Sequence, residues 1–321
     1  LANTIASSRA GFSPAALLSK TGMLLVFAVL FIICSTTVGN FFSFANMQGL
    51  MLSVSLMGMV ACTMLFCLAA GDFDLSVGSV VACAGVLSAV VTNATGSVIL
   101  GVLAGVCIGG LSGLANGYVI AKLKINALIT TLATMQIVRG LGYIVSDGKA
   151  VGVTKENFFI LGTSSVIGIP TPVIITVVCF VVFGILLEKT AFGRNTLAVG
   201  GNMEAARLSG IPVERLKITI FLLQGLMCGF AGVVLASRMT SGQPMTSMGF
   251  ELEVISACVL GGVSMSGGIG TITAVIAGVL IMGTVQNAMN LLNVPTFYQH
   301  VARGVILLGA VLFDKFKQMK S

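Results

Sequence analysis

Three long stretches of this chain, 21–71, 75–121 and 254–302, contain no Asp, Glu, Lys or Arg. A helix needs about 20 residues to cross the bilayer hydrocarbon, so each stretch has room for more than one crossing. In lipid, backbone N–H and C=O groups have no water to turn to and must pair internally, which helices do residue by residue. The expected fold is therefore all-α, a polytopic membrane protein.

Composition points the same way. Hydrophobic residues make up 56% of the chain and charged residues 8%, against about 25% charged in an ordinary soluble domain. Mean hydropathy is +1.08. The net charge of +7 comes from 17 basic residues that are sparse and largely confined to loops, a pattern that fits anionic lipid and the positive-inside rule and gives no basic patch for nucleic acid. All eight cysteines fall in apolar runs without CxxC or CxxxC spacing and read as small buried hydrophobes.

Apolarity, Gly/Pro punctuation and charge predict about ten spans, near 22–38, 47–70, 76–92, 97–120, 127–146, 171–188, 217–237, 251–263, 270–290 and 299–313. The eighth is too short to cross comfortably at 1.5 Å per residue. An inside N-terminus with an even number of spans gathers Lys122, Lys124, Lys189, Arg194, Arg207, Arg215, Lys315, Lys317 and Lys320 on one face. The expected organisation is a cytoplasmic tail at 1–21, a transmembrane body at 22–316 that includes a charged loop at 189–216, and a cytoplasmic tail at 317–321. The run after residue 20 lacks an Ala-x-Ala-like cleavage signal, so the tail reads as uncleaved.

Gly101, Gly105, Gly109 and Gly113 recur every fourth residue, placing them on one helix face suited to close packing in lipid. Two Gly-rich polar interruptions, 71–79 and 261–270, read either as broken helices lining a pathway or as tight turns. Asp72 and Asp74 make that choice matter. Carboxylates at membrane depth need a partner or water, whereas at a helix start they satisfy end N–H groups. Asn126, Gln136 and Arg139 with neighbouring threonines, and Gln286 and Asn287, make two further spans too polar to face lipid all round. Amides suit a neutral hydroxylated solute, and equally suit bonding between helices. Phosphate-loop, zincin and nucleophile-elbow signatures are missing from the sequence. One histidine gives no ground for metal or acid–base chemistry.

Residues 202–209 predict a short helix in the charged loop, with Asn202 as N-cap, Glu204 in the first turn and Gly210 ending it. Glu204-Ala205-Ala206 with Gly210 resembles the EAA loop of ABC-importer permeases. Together with Gly-Asp-Phe-Asp-Leu-Ser-Val-Gly at 71–78 and the 261–270 segment, it is similar to the ribose/xylose/arabinose/galactoside permease family. Segments 121–132, 236–247 and 287–293 resemble its arabinose-carrying members.

The resemblance implies a non-catalytic bacterial inner-membrane subunit that passes a monosaccharide inward. Its implied partners are a second permease copy, a periplasmic sugar-binding protein, membrane lipid and a cytoplasmic ATPase with two nucleotide-binding halves. ATP and magnesium belong to that ATPase, with no cofactor in this chain. Glu204, Ala205, Ala206, Arg207 and Gly210 are the expected coupling residues, Arg207 as an electrostatic contact. Asp72, Asp74, Asn126, Gln136, Arg139, Gln286 and Asn287 are the expected pathway residues. From the residues alone, an ion-coupled transporter, a channel and a structural subunit stay open.

Overall fold

The computed structural model describes residues 14–320, with side chains described for 22–312 and for Lys315. The tail expectations at 1–13 and at 321 lie outside the described residues. The chain forms α1 (Pro14–Thr37), α2 (Phe44–Ala69), α3 (Val77–Thr95), α4 (Val98–Ala121), α5 (Ala127–Ser146), α6 (Ile160–Thr163), α7 (Thr171–Lys189), α8 (Ala191–Gly201), α9 (Met203–Leu208), α10 (Val213–Met239), α11 (Phe250–Gly261), α12 (Ile272–Leu291) and α13 (Thr296–Lys320). Two-residue strands pair Val151–Gly152 with Ser241–Gly242 and Ser165–Val166 with Ile169–Pro170.

The fold is an all-α polytopic membrane protein. Seven helices, α2, α3, α4, α5, α7, α10 and α12, are long and apolar enough to cross a membrane, and Gly22–Thr37 and Thr296–Leu312 are shorter apolar stretches. With 12 residues, α11 rises only about 18 Å.

The glycine row closes the tightest seam. A Cβ on Gly109 would run into the Gly225 carbonyl, one on Gly113 into the Phe221 carbonyl, and one on Gly229 into the Gly105 carbonyl. Without side chains between them, α4 and α10 approach backbone to backbone, which recovers dispersion contact where lipid supplies no hydrophobic drive. Against this pair lies α3, with α5 on its outer flank. On the other side α2, buried from Met57 to Ala69, packs on α7, α10, α11 and α12.

The two Gly-rich interruptions begin alike and then part. After α2, the Gly71 N–H bonds to the Leu68 carbonyl and the Asp72 N–H to the Cys67 carbonyl, at 2.9 and 3.0 Å. After α11, Gly262 and Val263 bond in the same pattern to Val259 and Cys258. Both are Schellman closures, in which a left-handed glycine satisfies the last carbonyls, and Gly71 and Gly262 carry the required positive φ. Thereafter α12 folds back on α11, where Cβ atoms at Gly261 and Gly278 would strike opposing carbonyls. By contrast α3 leaves α2 for α4, α5 and α10, so 70–76 is a redirecting break and 262–271 a turn between paired helices.

Before α11, residues 240–249 are largely non-helical and descend along α3. A Cβ on Gly242 would meet Gly85 and Val86, while a Cβ on Gly78 would meet the Ser247 carbonyl. From Val86 to Gly78 is about 12 Å of helix, so this loop enters the bundle from one end and occupies the length that α11 lacks.

Candidate functional site

One end of the bundle carries the loop helices. Asn202, extended at φ −156°, accepts the Ala205 N–H on its side-chain oxygen at 2.9 Å and so starts α9. The Gly210 N–H bonds to Arg207 and the Ile211 N–H to Ala206, with φ +82° at Gly210, a third Schellman closure. Glu204, Ala205, Arg207 and Gly210 are exposed, whereas Ala206 is buried. Hence α9 stands on Ala206 and presents its other face outward. Sequence reasoning missed α8, which the Thr190 side chain caps by accepting the Gly193 N–H.

Asp72 and Asp74 do different work. Asp74 is buried and its Oδ1 accepts the Ser76 N–H at 2.9 Å and the Ser76 hydroxyl at 2.6 Å, which is helix-start satisfaction for α3. Asp72 is ion-paired at 2.7 Å with Lys217, one turn into α10, and both side chains are about nine-tenths buried. Removing one partner of such a pair strands the other charge and costs about 3–5 kcal/mol. One turn earlier, Glu214 pairs with Lys122 at 2.7 Å, but about half of each side chain is exposed. Lys122→Ala is therefore expected to leave the thermal midpoint of the solubilised protein unchanged; a drop of several degrees would mean that this outer pair carries fold stability.

From Ser76 the polar chain runs inward. The Asn116 amide donates to the Ser76 hydroxyl at 3.1 Å, and the Thr134 hydroxyl donates to Asn116 at 2.6 Å. Asn116 lies five residues before the end of α4, so the start of α3 is recessed about 8 Å from that end. Arg139 then donates its Nε–H to the Ser79 hydroxyl at 3.1 Å and two bonds of 2.8 Å to the Pro244 and Thr246 carbonyls. Those carbonyls belong to the descending loop, which has no ladder to satisfy them; irregular backbone is tolerated at such depth only when protein groups supply partners. Arg303 pairs with Glu253 in the first turn of α11.

The seven expected pathway residues do not converge on one site. Asn126 is exposed and caps α5 through the Leu128 N–H at 2.8 Å; it lines a cleft of about 380 Å³ with Asp72, Lys124, Met203, Arg207 and Lys217 at the loop-helix end. Gln136 is exposed on α5 and Arg139 is half-buried one turn on. Gln286 is half-buried on α12. Asn287 exchanges amide bonds of 2.8 and 2.9 Å with Asn46 on α2, a helix-to-helix clasp. Gln224 is fully buried in the bundle. A groove of about 650 Å³ between α2, α7 and α12 is walled mainly by Val, Ile, Leu, Met and Phe, with Glu188 and Lys189 lining it at the end of α7. Its Ser55 and Thr176 hydroxyls bond to backbone carbonyls, so away from Glu188 and Lys189 this groove offers a hydroxylated solute little.

Residues 46–311 match the family model described as branched-chain amino acid transport system / permease component. The chain belongs to this permease family. It is 65% identical over 310 residues to the L-arabinose transport system permease protein AraH of Escherichia coli (strain K12), covering 97% of this chain and 94% of that protein. It is 57% identical to the L-arabinose ABC transporter permease protein AraH of Azospirillum brasilense, covering 98% and 93%. Identity to the ribose import permease protein RbsC of Bacillus subtilis (strain 168) is 41%, covering 94% of each. No solved structure matches the chain.

The permease is a membrane transport subunit and not an enzyme, and its long apolar helices make it a multi-pass inner-membrane protein. Among the described residues no group of three or more His, Cys, Asp or Glu side chains could hold a metal. Sequence reasoning overlooked Lys217, Asn116, Ser76 and Ser79 in this permease. A signal existed for the first: Lys217 stands at the head of an otherwise uncharged predicted span, and such a cation needs a carboxylate partner.

Proposed function

We propose that this chain is the L-arabinose-carrying permease subunit of an ATP-driven importer, and that α9 is its coupling helix. The reading of the sugar rests on the 65% identity across 97% of the chain with an L-arabinose permease. The reading of α9 rests on its capped, outward-facing Glu204-Ala205-Arg207 surface beside the basic end of the bundle. Ten crossings are completed by α1, α13 and α11, the last continued by 240–249. The transmembrane body spans 22–316 with its coupling loop at 189–216, and the tails at 1–21 and 317–321 are cytoplasmic, as the positive-inside rule directs.

The working assembly holds two copies of this chain, an ATPase with two nucleotide-binding halves and a periplasmic binding protein that delivers the sugar. ATP and magnesium act on the ATPase, and closure of its halves moves α9. The sugar crosses chemically unchanged. The exposed Gln136 and half-buried Gln286 are the amides best placed to meet it, while Arg139 and Asn287 hold the walls.

The test is ATP-dependent uptake of labelled L-arabinose into proteoliposomes with the cognate ATPase and binding protein, beside D-ribose, D-xylose and D-galactose. Selective arabinose uptake that disappears when either partner is omitted is the expected result. Uptake without the ATPase would replace this reading with a channel or secondary transporter, and preference for another sugar would reassign the substrate.

A further inference from the structure

We infer that the break between α2 and α3, residues 69–76, receives the movement of the coupling helix from both flanks and passes it to the descending loop 240–249, with Lys217–Asp72 as its input latch. This inference rests on the coupling role proposed for α9.

The upstream flank of α9 is α8, whose last residues meet the break without any side chain between. A Cβ on Gly200 would run into the Ala69 carbonyl and the Gly268 N–H. Those two groups are themselves bonded at 2.9 Å. Phe192 on α8 packs its ring 5.6 Å from Phe66, one turn before Ala69. Because backbone meets backbone, α8 has no side-chain slack to take up before it pushes on residue 69.

The downstream flank is the turn 209–212, closed by the Gly210 and Ile211 bonds to Arg207 and Ala206. It leads directly into α10, whose second turn carries Lys217 to Asp72 at 2.7 Å. The two flanks of α9 therefore arrive three residues apart, one on the last residue of α2 and the other on the non-helical segment that follows it. A rigid-body shift of α9 reaches this break by two independent routes.

The output leaves from the same segment. Ser76 is held by Asp74 and by Asn116, which ties it to α4 and α5. Ser79, one turn on, accepts from Arg139, and the same guanidinium carries the Pro244 and Thr246 carbonyls of the loop. The descending loop touches α3 at its first turn, where Gly78 leaves room for the Ser247 carbonyl. Displacing the break thus shifts the frame on which the loop hangs. As positioning residues, Lys217 and Asp72 need not touch sugar or ATP.

The deciding measurement is sugar delivered per ATP hydrolysed in proteoliposomes carrying the full complex. The shape-matched neutral pair Asp72→Asn with Lys217→Gln is expected to assemble and hydrolyse ATP while delivering at least about tenfold less sugar per ATP. Lys217→Arg, which keeps the charge, is expected to retain the wild-type ratio within about twofold. A wild-type ratio in the neutral pair overturns the latch. Should the neutral pair fail to assemble, the double variant Ser76→Ala with Ser79→Ala decides, since it leaves the ion pair intact and is expected to lower the ratio likewise; a wild-type ratio there overturns the output route. Failure of the coupling reading itself looks different, because Ala205→Trp would then leave ATP-driven uptake at the wild-type level while the wild-type ion pair is intact.

Discussion

Ala205→Trp is expected to abolish ATP-driven uptake while leaving the permease folded in the membrane. Ala205 is exposed on the outward face of α9, and its backbone bonds, N–H to Asn202 and carbonyl to Ser209, do not involve its side chain. An indole there enlarges the exposed face that is proposed to dock on the ATPase. We expect association with the ATPase to weaken at least tenfold, about 1.4 kcal/mol, with stimulated hydrolysis and uptake falling together. Glu204→Ala is the milder companion, removing a first-turn carboxylate that favours the helix N-terminus by about 0.3–1 kcal/mol. Pull-down of the ATPase with each variant, beside uptake, checks both. Normal uptake in both variants would remove α9 from the coupling role.

Gly109→Leu is expected to prevent the permease from folding. At this position the opposing Gly225 carbonyl and Gly229 backbone occupy the space of a Cβ, and neither is a side chain that can turn away. Inserting a whole side chain forces α4 and α10 apart along the tightest seam in the bundle, which places the cost at or above the upper end of overpacking penalties, about 3 kcal/mol. The readout is the monodisperse fraction after mild detergent extraction, expected to collapse for Gly109→Leu. Gly140→Leu on α5, where a Cβ meets nothing within 4 Å, is the control expected to extract normally. Equal behaviour of the two would show that the seam is looser than its geometry.

The glycine row could be read from four-residue spacing because a helix repeats every 3.6 residues, and its partner face on α10 follows the same rule through Gly225 and Gly229. The short loop helix α9 was equally legible. Asn202, Glu204 and Gly210 are local signals, and capping depends on residues within one turn of each other. Helix α8 escaped notice because its eleven residues include three polar side chains and three glycines and carry no apolar stripe long enough to mark it.

The polar residues behaved otherwise. Asp72 and Asp74 look equivalent in sequence, yet one joins an ion pair across 145 positions to Lys217 and the other closes a bond two residues away. Arg139 reads as a candidate for solute contact, but three of its five N–H donors go to Ser79 and to two carbonyls more than a hundred residues distant. Asn287 finds Asn46 at a separation of 241. An amide or guanidinium states what bonds it can make and nothing about who supplies the other half.

By itself the sequence determined that this chain lives in a membrane, where its long apolar helices lie to within several residues, and which short loop helix stands on its charged face, since hydrocarbon thickness and helix capping act on contiguous residues. Tertiary structure alone decided that the 69–76 break meets α8 and α10 while the first turn of α3 just beyond it meets the loop before α11, because those meetings depend on which helices pack side by side. Long-range partners of buried polar groups are set by the whole bundle, and no window of sequence contains both halves of the bond.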